Sequence, residues 1–436
     1  MRMRSASGSL ISQNQFIKRV LQLSISVILV ALPLVAQTKR LWVLRATGEM
    51  VEYDPGTFAA KQTVKLPSEA GRAPASVDVN HLGQILFAPT VTLPLSAEDA
   101  AAPHKVWIWN GQAPASVDLG VTRKQESVGS NQAITDLVPA AYLSADGAHL
   151  YWFANEGRRL QREDIDLSTT ITWKAWRTDL AGSGREEVTS SKLPDCTCTT
   201  GSCEETCPVG VVWVPDDGVG KFFLVTQFVA GQTSVVYKSS TRYDEAGGKW
   251  TAKNLADPLQ RVLDASSAGD SIVEAIPDTG CCGWSNQSND QTFVLTNGNK
   301  IAVFDEQATY KNQDYDVSFL TSNAYLSPDA SRIAMTVTAT AEPNKPVQLS
   351  EQGQASPEES QRIRKALMEL PAVVVKSVED SPKQIAFVPH ATLVGWINDK
   401  EIVIVEDHLL VVYNVASGAR RKSSVRVEDA GHVFLR

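Results

Sequence analysis

The stretch TFVLTNGNKIAVFDE, residues 292–306, decides the fold class. Two runs rich in β-branched and aromatic residues flank Asn297-Gly298, the dipeptide that signals a two-residue hairpin because both of its residues tolerate the positive φ that such a turn requires. The second run closes on an aromatic residue and an acid, Phe304-Asp305. The phrase recurs as LWVLRATGEMVEYDP at 41–55, with a turn expected at Thr47-Gly48, and as IVIVEDHLLVVYNV at 402–415, with a turn expected at Glu406-Asp407. Shorter echoes end at Trp109-Asn110-Gly111, Thr178-Asp179 and Tyr243-Asp244.

The closing Asp or Asn, used as a marker, falls at 54, 110, 179, 244, 305 and 414, at intervals of 56, 69, 65, 61 and 109. A unit of about 55–65 residues holding several strands is the size of a propeller blade. The last interval is close to double, so one blade has lost its marker and the count is seven, with six as the alternative. A second set of polar turns between apolar runs supports it: YLSADGAHLYWF at 142–153, VPDDGVGKFFLV at 214–225, WSNQSNDQTFVL at 284–295, YLSPDASRIAMTV at 325–337 and WINDKEIVIV at 396–405. Pro, Asp and Asn supply the fixed φ and local hydrogen bonds of such turns.

These phrases resemble the repeat of TolB-like WD-repeat propellers, in which an aromatic or apolar residue, Ser, Pro, Asp and Gly precede a strand. The match is close at Ser327-Pro328-Asp329 and Ser144-Ala145-Asp146-Gly147, and weaker copies run through residues 41 to 420. The resemblance implies an all-β propeller in an exported bacterial protein. The first unit starts at Leu41 with what reads as the second strand of a blade, so HVFLR at 432–436 is expected to pair with that blade and close the ring.

Two insertions break the pattern. A Cys-rich loop covers about 181–208, and a helical insertion covers about 340–371 with SPEESQRIRKALMELP at its end. Ser356 as N-cap, Pro357 at the first helical position and Glu359 completing a capping box start the helix, and Pro371 stops it. Ile363, Ala366, Leu367 and Leu370 share one face, suited either to packing on the outside of blade six or to a partner.

Residues 20–36, VLQLSISVILVALPLVA, follow Lys18-Arg19 and end in small residues. This is the layout of a signal peptide spanning 1–36, leaving a propeller domain over 37–436; an uncleaved N-terminal anchor is the alternative reading. The expected location is the periplasm, the cell surface or the medium, with no transmembrane span once the signal is removed. The remainder carries 37 basic residues against 49 acidic ones, a formal charge of −12, which argues against a nucleic-acid partner.

The six cysteines, Cys196, Cys198, Cys203, Cys207, Cys281 and Cys282, are an even count in an exported chain, which favours disulfides. A four-thiolate zinc site lacks its paired C-x-x-C knuckles here, and no His or basic cluster nearby marks a reactive thiol. The sequence contains no G-x-S-x-G elbow, H-E-x-x-H, P-loop or EF-hand loop, and no cofactor or metal site is expected. His149 and His408 lie in strand phrases and read as paired structural residues.

The segment PDTGCCGWSNQSNDQ at 277–291 is placed by the repeat at the start of blade five. There Trp284, Asn286 and Asp290 would form a binding surface at the channel mouth, or Trp284 is an ordinary core aromatic beside structural cysteines. The leading functional expectation is a non-enzymatic exported propeller that binds a protein, peptide or envelope component on one face. The alternatives are a propeller enzyme of hydrolase or lyase type acting at the channel mouth, and a disulfide-stabilised surface protein. Mass spectrometry of the exported, non-reduced protein should find no free thiol; stoichiometric zinc or six titratable thiols would refute the disulfide expectation.

Overall fold

Asn297 and Gly298 adopt φ of 50° and 78°, so the expected hairpin forms between Ser288–Thr296 and Asn299–Phe304. The hairpin near 406 forms one residue later than expected. Glu406 still pairs with Leu409, and the positive φ falls on Asp407 and His408, at 53° and 61°. Asp and His are enriched in the left-handed region and Glu is not, which explains the shift. In the first phrase the turn spans Arg45–Gly48, closed by the Gly48 N–H on the Arg45 carbonyl at 2.9 Å.

The computed structural model describes residues 39–67, 74–89, 103–122, 124–128, 131–144, 146–161, 167–169, 171–192, 196–198, 209–213, 222–230, 235–246, 249–278, 288–304, 319–339, 357–428 and 432–436. The strands are β1 (Leu41–Leu44), β2 (Glu49–Tyr53) and β3 (Ala60–Lys65) in blade one, and β4 (Pro74–Val79), β5 (Ile85–Pro89), β6 (Pro103–Trp109) and β7 (Ala115–Thr122) in blade two. Blade three holds β8 (Lys124–Val128), β9 (Asn131–Leu143), β10 (His149–Gln161), β12 (Ile171–Asp179) and β13 (Glu186–Lys192), while β11 (Leu167–Thr169) pairs with β14 (Cys196–Cys198). Blade four is β15 (Val209–Trp213), β16 (Phe222–Ala230), β17 (Val235–Ala246) and β18 (Lys249–Asn254), and blade five is β19 (Arg261–Ala265), β20 (Ser271–Asp278), β21 (Ser288–Thr296) and β22 (Asn299–Phe304). Blade six is β23 (Phe319–Leu326), β24 (Arg332–Ala339), helix α1 (Pro357–Met368), β25 (Ala372–Ser377) and β26 (Gln384–Pro389). Blade seven is β27 (Ala391–Asn398), β28 (Glu401–Glu406), β29 (Leu409–Asn414) and β30 (Arg420–Arg426), and β31 (Val433–Leu435) follows it. Apart from the β11–β14 pair these make seven antiparallel sheets, an all-β seven-bladed propeller with one short helix among the described residues.

The ring closes as the first blade's missing strand required. β31 pairs with β1 in the register Leu41↔Leu435, Trp42↔Phe434 and Val43↔Val433, and the Arg40 and Arg436 backbones exchange hydrogen bonds beyond it. Successive first strands β19, β23, β27 and β31 approach one another, which sets them around the axis.

Strand order corrects the repeat in two places. The Asn297-Gly298 hairpin joins the third and fourth strands of blade five, whereas the turns at Arg45–Gly48 and Asp407–His408 join second and third strands. Asn297, not Asp305, therefore stands at the end of the third strand, as Asp54, Asn110, Asp179 and Asn414 do in their blades. The lost marker belongs to blade six, whose third strand ends at Ser377; there the Ser377 hydroxyl accepts the Lys383 N–H at 2.9 Å in place of a carboxylate. WSNQSNDQTFVL is likewise not a first-to-second turn, because residues 279–287 connect β20 to β21. The first-to-second turn of blade five is Ser266–Asp270, in which the Ser266 carbonyl accepts the Gly269 N–H at 2.7 Å.

The Cys-containing insertion is narrower than expected. Residues 186–192 form the outer strand of blade three, so the Cys-containing connection begins only after Lys192. On helix α1, Ile363 and Leu367 are 1% and 2% exposed and join the apolar cluster that also holds Val273 and Val303 of blade five and Phe319 of blade six. The expected N-cap Ser356 and the Glu359 side chain lie outside the described residues.

Apolar side chains gather between blades. Trp42 and Met50 meet Ile85 and Phe87 between blades one and two, with Trp42 edge-on to Trp109 at 5.9 Å. Phe153 meets Phe223 at 5.0 Å between blades three and four. Polar ties add register. The Arg332 guanidinium donates to the Asp399 carbonyl at 2.6 Å, Gln84 donates to the Gly147 carbonyl at 3.0 Å, and Arg242 donates to the carbonyls of Ala268 and Gly269, each time reaching the next blade. Gly269 must be glycine for this approach, since its φ is 67° and a Cβ would meet the Phe222 ring at 2.8 Å.

Leu435→Ala should cost about 2–5 kcal/mol, the range for truncating a buried leucine, because Leu435 is 5% exposed among Leu41, Val394 and Val433. Urea denaturation checks this; a loss under about 1 kcal/mol would mean that the short strand does not hold the ring shut.

Candidate functional site

Antiparallel order gives the ring two unlike faces. On one face, among the described residues, first-to-second and third-to-fourth strands are joined by short turns, several of them capped by a side chain. Asp54 Oδ1 accepts the N–H groups of Gly56 and Thr57, each at 2.9 Å. Asp179 and Asn414 repeat this with Ala181 and Ser183, and with Ala416 and Ser417. In the Ser327–Ser331 turn, burial pushes the Asp329 carboxyl up, but hydrogen bonds from Ser327 and Ser331 outweigh it and leave the carboxyl below its ordinary value.

The second-to-third connections and the links between blades leave on the opposite face. They include residues 193–208, 279–287 and 340–371, by the strands they join. The described strand ends that these connections join thus lie on one face. β11 and β14 pair there, with Leu167 opposite Cys198 and Thr169 opposite Cys196. Cys203, Cys207, Cys281, Cys282, Trp284 and Asn286 lie outside the described residues, and the Asp290 backbone is paired with Pro277 in the β20–β21 ladder. The segment therefore belongs to a second-to-third connection of blade five and not to its start. His149 Nδ1 lies 3.6 Å from Asp146 Oδ1, whereas His408 is an exposed turn residue and not a paired strand residue.

A site that the sequence did not reveal opens at the seam between blades one and seven. It is a cleft of about 560 Å³. Its apolar wall includes Val43, Leu44, Phe58 and Val425, and its polar groups are Arg45, Tyr53, Arg426, Glu428 and His432. Two local departures from regular structure and one side-chain hydrogen bond meet there. Phe58 has φ of 59°, uncommon for a bulky residue, and its N–H is fixed on the Asp54 carbonyl at 2.7 Å. β30 bulges between Lys422 and Arg426, with the Val425 N–H on the Ser423 hydroxyl at 3.1 Å. The Arg45 guanidinium reaches the Tyr53 hydroxyl at 2.5 Å.

Only Arg420-Arg421-Lys422 and Arg426 in the outer strand hinted at this site, and those charges also suit an edge strand that must repel pairing. Among the described residues, no group of three or more His, Cys, Asp or Glu is arranged to hold a metal. No described helix is long and apolar enough to cross a membrane.

No family model matches the sequence, and no curated protein matches it. Among solved structures, the acylaminoacyl peptidase of Pyrococcus horikoshii is similar over 87% of this chain and 48% of its own, at 10% identity and a TM-score of 0.41. TolB from Acinetobacter baumannii is similar over 92% of this chain and 82% of its own, at 12% identity and a TM-score of 0.33. AztD from Citrobacter koseri is similar over 91% and 98%, at 9% identity and a TM-score of 0.38. The chain spans about half the length of the acylaminoacyl peptidase. Likenesses this distant carry no activity or partner over to this chain.

The Asp54 turn that sets Phe58 is sensitive to acid. The Lys61 ammonium, hydrogen-bonded to the carboxylate, and the Thr57 N–H lower the Asp54 pKa from 3.8 to about 2. A depressed folded-state pKa stabilises the fold above the unfolded value, so this contribution is present above pH 4 and lost as the pH falls toward 2. With the side chain 34% exposed, solvent screening leaves about 1 kcal/mol. Asp54→Asn should therefore lower stability by about 1 kcal/mol at pH 7 and change it little at pH 2, read by urea denaturation at both; an equal loss at both pH values would refute the link.

Proposed function

We propose that this chain is an exported, non-enzymatic propeller that binds a protein, peptide or envelope component on the face carrying its long connections. The observation that supports this reading is the difference between the faces. One is closed by short turns whose polar groups are used within the turn or on the next blade, as in Asp179, Arg242 and Arg332. The other is the side on which the strands joined by residues 193–208, 279–287 and 340–371 end, so long connections leave the sheets there. A rigid ring presenting several connections on one side is suited to recognition, since binding residues concentrate on loops held by a scaffold. The apolar run at 20–36 after Lys18-Arg19 supports export. The six cysteines are proposed to pair in disulfides that order these connections.

Trp284 is proposed as an anchor of the binding surface with Asn286 and Asp290, a Trp beside amide and acidic groups being a common hot-spot composition. Capture from envelope extract under mild crosslinking tests this with the exported chain and its Trp284→Ala variant. The expected outcome is at least about tenfold weaker capture with an unchanged melting temperature. A core role for Trp284 would show instead as a loss of about 3–5 kcal/mol in stability with capture per folded molecule unchanged.

A further inference from the structure

The seam cleft has a feature that closing the ring does not require. Among the described residues, Arg426 makes no side-chain hydrogen bond or ion pair, although its neighbours on β30 do: Arg420 and Lys422 meet Glu406, and Arg421 meets Glu401. Arg45 has the Tyr53 hydroxyl but no carboxylate. Among the described residues Glu428 is the one acid lining the cleft, so the described lining, with Arg45 and Arg426, carries a formal excess of one positive charge. The same cleft is lined by Leu44, Phe58 and Val425. A planar guanidinium is matched to a carboxylate, on which it forms two parallel hydrogen bonds. An excess of one charge suits a monoanion better than a phosphate dianion, and about 560 Å³ is in the range of small-ligand sites.

We propose that the cleft between blades one and seven binds a carboxylate carried on an apolar chain, with Arg45 and Arg426 on the carboxylate and Phe58, Leu44 and Val425 on the apolar part. Two sources share this chemistry: the free C-terminus of an apolar peptide and a free aliphatic acid. Phe58 fits the role of a wall for the apolar part, since its left-handed backbone, held by the Asp54 turn, sets its ring at the cleft. This proposal goes beyond the connection-face reading and fails separately from it, because it concerns small probes added to the purified chain.

Isothermal titration of the exported chain with N-acetyl-Val-Leu-Phe free acid, the same peptide as its C-terminal amide, and octanoate tests it. Binding of at least one acid is expected, with the amide at least about tenfold weaker than the free peptide if the peptide is the ligand, and with Arg426→Gln weakening the bound acid by at least about tenfold. The variant's melting temperature should not move, since Arg426 has no side-chain partner among the described residues. Arg45→Gln should act in the same direction. Octanoate binding with the same dependence on Arg426, without peptide binding, supports the site and assigns it to aliphatic acids. The proposal is overturned if neither acid binds at millimolar concentration, if peptide acid and amide bind equally, or if Arg426→Gln leaves acid affinity unchanged.

Discussion

Everything in this ring depends on three residues of strand at its C-terminal end. β31 supplies the innermost strand of blade one, and Val433 and Leu435 complete the apolar layer between blades one and seven with Leu41, Val43, Val412 and Tyr53. Without that strand, β1 would present an open edge and the layer would face water, so covalent order along the chain would no longer imply a closed ring. The Arg40–Arg436 backbone exchange extends the pairing by one residue at the point where the two ends of the described chain meet.

Closure makes the molecule a repeating set of sheet-to-sheet contacts, each with its own apolar cluster. The contacts are not equivalent. Aromatics dominate between blades three and four, where Tyr151, Phe153, Phe223 and Tyr243 converge. Aliphatic residues dominate between six and seven, and two helix residues join the cluster shared by five and six. The helix shows how an insertion is absorbed: its two most buried residues, Ile363 and Leu367, join the cluster while its charged face stays in solvent.

Strand parity separates the two faces in structure. Asp54, Asp179 and Asn414 fall where a third strand ends, and there a carboxylate or amide oxygen accepts two backbone N–H groups of a tight turn. The same residues that make the repeat visible therefore close one face. The other face has no such constraint on length, and the insertions accumulated there. The seam cleft follows from the same geometry: two blades that meet through a short added strand leave room between their outer strands, and Phe58, the β30 bulge and two arginines line that room.

The sequence by itself determined the all-β class, the seven blades, the ring-closing role of residues 432–436 and the helix before Pro371, because these rest on local periodicity, turn chemistry and counting. It misplaced what depends on which strand pairs with which. TFVLTNGNKIAVFDE looks like LWVLRATGEMVEYDP, yet one spans third and fourth strands and the other second and third. A hairpin is locally the same at any place in a blade, so only inter-strand pairing distinguishes them, and this moved the Trp284 segment from the start of blade five to its second-to-third connection. The seam cleft was beyond the reach of sequence for a stronger reason. Arg45 and Arg426 are 381 positions apart, and no local rule brings them together; only closure of the ring does.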